Sequence, residues 1–242
     1  MKCFWTIVVL IWMLLLTSSL YADENQAFDD VFEDYEIAEE EERIPDPLYW
    51  FNHGMYTFND KFYFWCLKPL AKGYETVAPA GFRQCVHSFF YNILFPVRFV
   101  NNVIQGKIKG AGSELGIFLI NTTTGPLGLS KPAQTVFNMK NSREDLGQTL
   151  GTWKIGEGCY LVLPFFGPST LRDFIGLAGD SFLSPIRYVD STLLAAGIRS
   201  FDAVNTLSLH PGKYEALKQS SFDPYDAFKN AYVQSRRLKV SE

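Results

Sequence analysis

The segment DPLYWFNHGMYTFNDKF, residues 46–62, constrains the fold more than any other stretch of the chain. It reads as a helix running from Pro47 to about Leu67, with Asp46 as its cap and Pro47 as a first residue that has no amide to satisfy. On a helical wheel Phe51, Met55, Phe58, Phe62 and Trp65 fall on one continuous stripe, the spacing of any core-facing helix. Tyr49, Tyr56 and Tyr63 form a second stripe on another side, and Trp50 and Phe64 add apolar area outside both. Only His53, Thr57, Asp60 and Lys61 keep a polar face. A surface helix has one apolar side, so two readings stay open. Either this is a central helix packed on several sides, or it lies at a membrane–water boundary, where Tyr and Trp rings settle. In the second reading Tyr49, Trp50, Tyr56, Tyr63 and Trp65 are the interface residues.

The remaining composition favours apolar surroundings. The 242-residue chain, one or at most two domains long, is 16 % aromatic and 20 % charged, leaving more apolar surface than one core needs. Residues 23–45 hold eleven acids and one base, Arg43, whereas from Asp46 onward twenty bases face fifteen acids. The acidic stretch reads as a disordered, solvated spacer, because mutually repelling carboxylates with few apolar anchors do not offset the entropy of ordering. The mildly basic body suits an anionic partner such as lipid headgroups. Its charge is too weak and scattered for nucleic acid.

The first 22 residues have the layout of a secretory signal peptide. Lys2 precedes thirteen uncharged residues, FWTIVVLIWMLLL, and a small residue, Ala22, ends the TSSLYA that follows. An uncleaved anchor is the alternative, because Leu20 stands where a small residue is preferred. Either way the body is exported, and no later stretch is long and apolar enough to read as a spanning helix. Cleavage would leave Cys66, Cys85 and Cys159, enough for one internal bridge and a free thiol, or equally three small buried apolar side chains.

Residues 46–242 then read as one mainly helical domain. Helices are expected over 68–79, 81–94, 95–106, 107–125, 169–182 (capped by Ser169), 184–209 and 223–238, separated by glycine and proline. The segment LGTWKIGEGCYLVLPFFGP, residues 150–168, differs: its apolar residues alternate with Gly151, Gly156, Gly158 and Gly167, which predicts a hairpin turning near Gly156–Gly158.

Catalytic chemistry finds no foothold. No strained serine elbow, phosphate loop, dinucleotide fingerprint or zinc spacing occurs, and the three histidines, His53, His87 and His210, read as structural or solvated. The charges in RED (143–145) and LRD (171–173) read as local salt bridges. No metal or cofactor is expected.

Taken in order, DPLYWFNHGMYTFNDKF, KPLAKGYETVAP, NNVIQGK, GSELGIFLINTTTGPLGL, EDLGQTLGTWKIGEGCYLVLPFFGPSTLRD and DPYDAFKNAYVQSRR resemble the MlaA (VacJ) family of phospholipid-transport lipoproteins of the Gram-negative outer membrane. The resemblance runs collinearly from Asp46 to about Arg237, and the stretch from Asp145 to Asp173 is its most specific part. It implies a ring of amphipathic helices lying in one leaflet, on the periplasmic side, around a central channel. It also implies removal of misplaced phospholipid from the outer leaflet, hand-over to a periplasmic carrier protein, and association with trimeric porins. A non-transporting scaffold that binds porins is the competing reading.

On this resemblance the lipid-contacting residues are Phe58, Phe62, Leu127, Leu129, Trp153, Ile155, Tyr160 and Leu161, with Gly151, Gly156 and Gly158 as gating hinges. The family's lipidated cysteine has no counterpart after TSSLYADEN, where the next cysteine is Cys66. Membrane attachment is therefore expected to rest on the aromatic body or on the N-terminal helix.

Overall fold

A computed structural model describes residues 44–241. The expected signal peptide and residues 23–43 of the expected acidic spacer lie outside the described residues.

Helix α1, Tyr49–Phe62, passes directly into a π-turn, Tyr63–Leu67, whose register is set by the Lys68 amide donating to the Tyr63 carbonyl. Then come α2 (Lys68–Val77), α3 (Ala80–Ile93), α4 (Phe95–Ile104) and α5 (Ile108–Thr123). Pro69 and Pro96 sit in the first turns of α2 and α4 and Pro79 caps α3, positions where a missing amide costs nothing. The short helices α6 (Pro132–Thr135) and α7 (Leu146–Thr152) precede a two-stranded antiparallel sheet, β1 (Tyr160–Leu163) and β2 (Gly167–Thr170). The chain closes with α8 (Leu171–Leu183), a 3-10 turn (Pro185–Tyr188), α9 (Thr192–Leu209), α10 (Lys213–Ser220) and α11 (Pro224–Ser241).

The hairpin exists but turns eight residues further along than the glycine pattern predicts. Asp145 accepts the Gln148 amide at 2.8 Å, so the chain behind it starts as helix α7 and not as a strand. The turn falls at Pro164–Phe166 instead, where Phe165 and Gly167 take φ of 68° and 83°. Register pairs Tyr160 with Thr170 and Leu163 with Gly167. Ser169 is consequently a strand residue, and Thr170 caps α8 by accepting the Asp173 amide at 3.2 Å. Asp46 is likewise not the cap of α1. Its carboxylate accepts from the Asn52 amide at 2.8 Å and from the Tyr225 hydroxyl, joining the two Asp-Pro helix starts.

Packing links the elements into a closed circuit: α1 and its π-turn meet α2, α2 meets α9, then α3, α4, α7, α11, β2 and β1 follow in turn, and β1 returns to α1. Helices α7 and α8 cross backbone to backbone, and a Cβ added to Gly176 would lie 2.4 Å from the Gly147 amide nitrogen.

Burial is inverted relative to an ordinary soluble domain. Asn52, Asn101, Asn102, Asn121 and Asn205 are at most 1 % exposed, while Trp50 and Trp65 are 87 % and 79 % exposed. Helix α9 shows the reason for the inversion. Leu193 and Leu194 point outward, while Asn205 and Ser208 are buried and bond the α3 backbone and their own helix. Polar groups hidden from any outside solvent bond one another, and the apolar groups are left on the perimeter. No described helix is long and apolar enough to cross a membrane.

The same economy governs the charges. RED and LRD do not form only local pairs: Arg236 on α11 bonds Asp145 at 2.6 Å and Asp173 at 3.0 Å, tying together α7, α8 and α11. Arg172 to Asp173, at 3.3 Å, is the local contact.

Candidate functional site

Two asparagines hold the hairpin against α1. Asn52 donates to the Tyr160 carbonyl at 2.9 Å and accepts the Val162 amide at 2.9 Å. Asn59 repeats the pattern, donating to the Leu163 carbonyl at 2.9 Å and accepting the Phe165 amide at 2.8 Å. Each side-chain amide thus stands in for a neighbouring strand along the free edge of β1, a position that otherwise leaves backbone groups unpaired. Sequence reasoning missed both residues. The available signal was a pair of asparagines seven apart on a largely apolar helix.

Beneath this joint lies an apolar cavity of about 530 Å³, within the size range of small-molecule sites. Tyr56, Phe62 and Tyr63 wall it from α1 and the π-turn, Tyr160 and Val162 from β1, and Phe165 and Phe166 from the turn. Ala203, Thr206 and Leu207 of α9 face them, with Tyr214 on α10 and Phe228, Ala231 and Tyr232 on α11. Phe165 meets Phe58 and Phe62 edge-on, with ring centroids 5.2 and 5.0 Å apart. Its left-handed backbone is a strained conformation for a bulky side chain, and Asn59 holds it there.

Three of the tyrosine rings face the cavity while their hydroxyls reach polar groups behind it. Tyr63 donates to Glu215 at 2.7 Å, Tyr214 to Asp60 at 2.9 Å and Tyr232 to Asp173 at 2.9 Å. Burial, reinforced by Asp60, pushes the Tyr56 phenol up to about 12, and burial also raises Tyr160 and Tyr232. These phenols stay neutral, and the wall carries no charge of its own. Among the described residues, no group of His, Cys, Asp or Glu gathers as it would around a metal.

The expected site residues divide. Phe62 and Tyr160 line the cavity and Phe58 meets the Phe165 ring edge-on. Leu161 projects from the opposite face of β1, and Trp153 and Ile155 lie exposed in the link between α7 and β1. Leu127 and Leu129 lie in the loop after α5, outside the cavity lining. Of the expected interface residues, Trp50 and Trp65 point outward and Tyr49 is partly exposed, but Tyr56 and Tyr63 turn inward. The inward turn lets the Tyr63 hydroxyl reach Glu215 on α10.

The three expected hinge glycines also differ. Gly151 is in α7, and a Cβ there would lie 2.6 Å from Val240, so its smallness serves packing. Gly156 faces open space, and Gly158 takes φ 71° against Leu171.

Comparison with known proteins agrees with this geometry. A family profile described as MlaA lipoprotein matches residues 44–239. The chain is 31 % identical to the intermembrane phospholipid transport system lipoprotein MlaA of Escherichia coli strain K12, over 78 % of this chain and 76 % of that one. It is 28 % identical to the protein of the same name from Haemophilus influenzae, over 86 % and 82 % of the two chains. An uncharacterized protein of Rickettsia conorii is 26 % identical over 97 % of this chain and 94 % of its own. A solved structure described as the structural basis for maintenance of bacterial outer membrane lipid asymmetry superposes with a TM-score of 0.72 at 27 % identity, covering 81 % of this chain and 99 % of that one. The family match runs along nearly the whole described length, and the chain belongs to the MlaA lipoprotein family.

Proposed function

We propose that this protein conducts phospholipid between membranes, taking misplaced phospholipid from the outer leaflet of the outer membrane and passing it to a periplasmic carrier. The observation that carries the reading is the inverted burial: a polar, hydrogen-bonded interior, an apolar perimeter crowned by Trp50 and Trp65, and an apolar aromatic cavity inside the helical circuit. Such a perimeter suits a body seated at leaflet depth, and such a cavity suits acyl chains. Membership in a family whose named members belong to an intermembrane phospholipid transport system supports the same reading. The protein acts as a conduit, so no bond is broken. Phe58, Phe62 and Tyr160 are the lipid-contacting residues, and the hairpin pivots about Gly158.

The test uses the full-length protein and a deletion strain. Purified protein carries co-extracted phospholipid, and the deletion strain accumulates phospholipid in its outer leaflet. Ala203→Trp, which fills the cavity from α9, fails to complement while keeping its fold and any porin association. Purified protein free of lipid, together with full complementation by Ala203→Trp, overturns transport in favour of a porin-binding scaffold.

A further inference from the structure

The walls of the aromatic cavity are fixed in place. Three of its tyrosines are tied at the hydroxyl, Tyr63 to Glu215, Tyr214 to Asp60 and Tyr232 to Asp173. The acceptors are held in turn, since Lys68 pairs with Glu215, Lys218 with Asp60 at 2.6 Å and Arg236 with Asp173 at 3.0 Å. The rings also brace one another. Between centroids, Tyr214 lies 4.2 Å from Tyr63 and 5.0 Å from Phe228, and Phe228 lies 6.0 Å from Tyr56. Widening the cavity therefore breaks ring contacts and charge-assisted bonds together, in an interior with few voids to absorb the shift.

With its walls fixed, the volume of about 530 Å³ limits how much hydrocarbon enters. A methylene is close to a water molecule in size, about 30 Å³, so one chain of about sixteen to eighteen carbons fills the space and two, at about 1,000 Å³, do not. The head of a lipid stays outside as well. None of the described residues lining the cavity is charged, so a phosphate drawn into it meets no cation. The side that opens outward is apolar. Phe165 and Phe166 line the cavity and are also 62 % and 67 % exposed, and partly exposed Phe58 of α1 meets Phe165 from outside the lining. A second chain has that outer apolar surface, or the surrounding lipid, to lie against.

We infer that the cavity takes one acyl chain and no more, so that a single-chained lysophospholipid is as good a ligand for it as a diacyl phospholipid. The inference rests on the transport reading and deepens it by naming the part of the lipid that the cavity holds. The second chain of a diacyl lipid stays in detergent or bilayer whether the first is bound or not. It leaves no water behind on binding, and so adds little to the affinity.

Full-length protein in detergent is loaded with dipalmitoyl phosphatidylethanolamine, palmitoyl lysophosphatidylethanolamine is added as competitor, and native mass spectrometry counts the bound lipid. One lysolipid displaces one diacyl lipid, and the two affinities agree within about threefold. A preference above about tenfold for the diacyl lipid, or two lysolipids bound where one diacyl lipid was, overturns the inference, because each requires room for a second chain. Ala203→Trp lowers retention of both lipids at least about tenfold, and unchanged retention of either places binding outside the cavity and overturns the inference too. A second measurement needs no substitution. Methyl-branched phytanoyl chains have about twenty carbons and take about 600 Å³, more than the cavity holds. Phosphatidylethanolamine with one palmitoyl and one phytanoyl chain binds like the dipalmitoyl lipid, whereas the diphytanoyl lipid binds at least about tenfold more weakly. Diphytanoyl lipid bound as tightly as dipalmitoyl lipid overturns the one-chain assignment. Wild-type protein that takes up neither the diacyl lipid nor the lysolipid overturns the transport reading itself.

Discussion

Asn52 and Asn59, seven residues apart on α1, hold β1 with the same pair of bonds, each donating to one carbonyl and accepting the amide two residues on. Asn52 is wholly buried and spends its second donor on Asp46, so both N–H groups of its amide are used. Asn52→Ala strands the Tyr160 carbonyl and the Val162 amide in a dry setting and costs on the order of 3 kcal/mol. Urea unfolding reads the loss, and hydrogen exchange at the Val162 amide accelerates. Asn59→Ala, nearer solvent, costs less but frees the Phe165 amide, and fluorescence or exchange at the turn reports the loosening.

Arg236 bridges two carboxylates on different helices, and Tyr232 donates to the second of them. Burial opposes the charge on Asp145, yet the Arg236 bonds and the Gln148 amides hold its carboxyl below the usual range. Arg236→Met leaves two negative charges facing each other beneath α11 and destabilises by about 3–5 kcal/mol. Arg236→Lys recovers only part, since one ammonium does not reproduce the fork. Denaturant midpoints for the two variants test the ordering.

His87 gives the fold an acid sensitivity that can be isolated. Unfolded, it takes a proton near 6.5; folded, near 4, because burial and the neighbouring His210 and Arg143 disfavour imidazolium. Between those values the unfolded chain binds more protons. The contribution is therefore full above about 6.5 and is lost as pH falls toward 4. The stability difference between wild type and His87→Leu changes by about 2 kcal/mol from pH 7 to pH 5. Asp180 and Asp202, both raised to about 6 by burial, slope the other way but cancel in that difference. A difference that does not change with pH refutes the assignment.

Glycine substitutions separate packing from pivoting. Gly176→Ala drives a methyl into the Gly147 backbone and costs about 1–3 kcal/mol. Gly156→Ala meets nothing within 4 Å and stays within about 0.5 kcal/mol of wild type. Gly158→Ala, forced into the left-handed region at φ 71°, costs roughly 1 kcal/mol and slows transport if the hairpin pivots there. Melting temperatures alongside lipid-transfer rates distinguish the three.

Helix boundaries were readable because Pro69, Pro79 and Pro96 act locally, through a missing amide and a fixed φ. Which face of each helix points inward was not, since the usual stripe rule assumes water outside. On α9, Leu193 and Leu194 face outward, while buried inner positions belong to Asn205 and Ser208. The hairpin was recognised by composition and misplaced in register, because Asp145 starts a helix where glycine density suggested a strand. Long-range partners were the hardest to see: nothing near Asp173 in sequence announces Arg236, sixty-three residues away.

The two asparagines also form a vernier. Seven helical residues advance about 10.5 Å and three strand residues about 10 Å, so both grips engage at one alignment of α1 and β1. Sliding the strand by one residue turns the wrong peptide edge toward both amides at once. The hairpin therefore cannot creep along the helix. It is either seated on both teeth or released from both, which makes any opening of the cavity beneath it a step and not a drift.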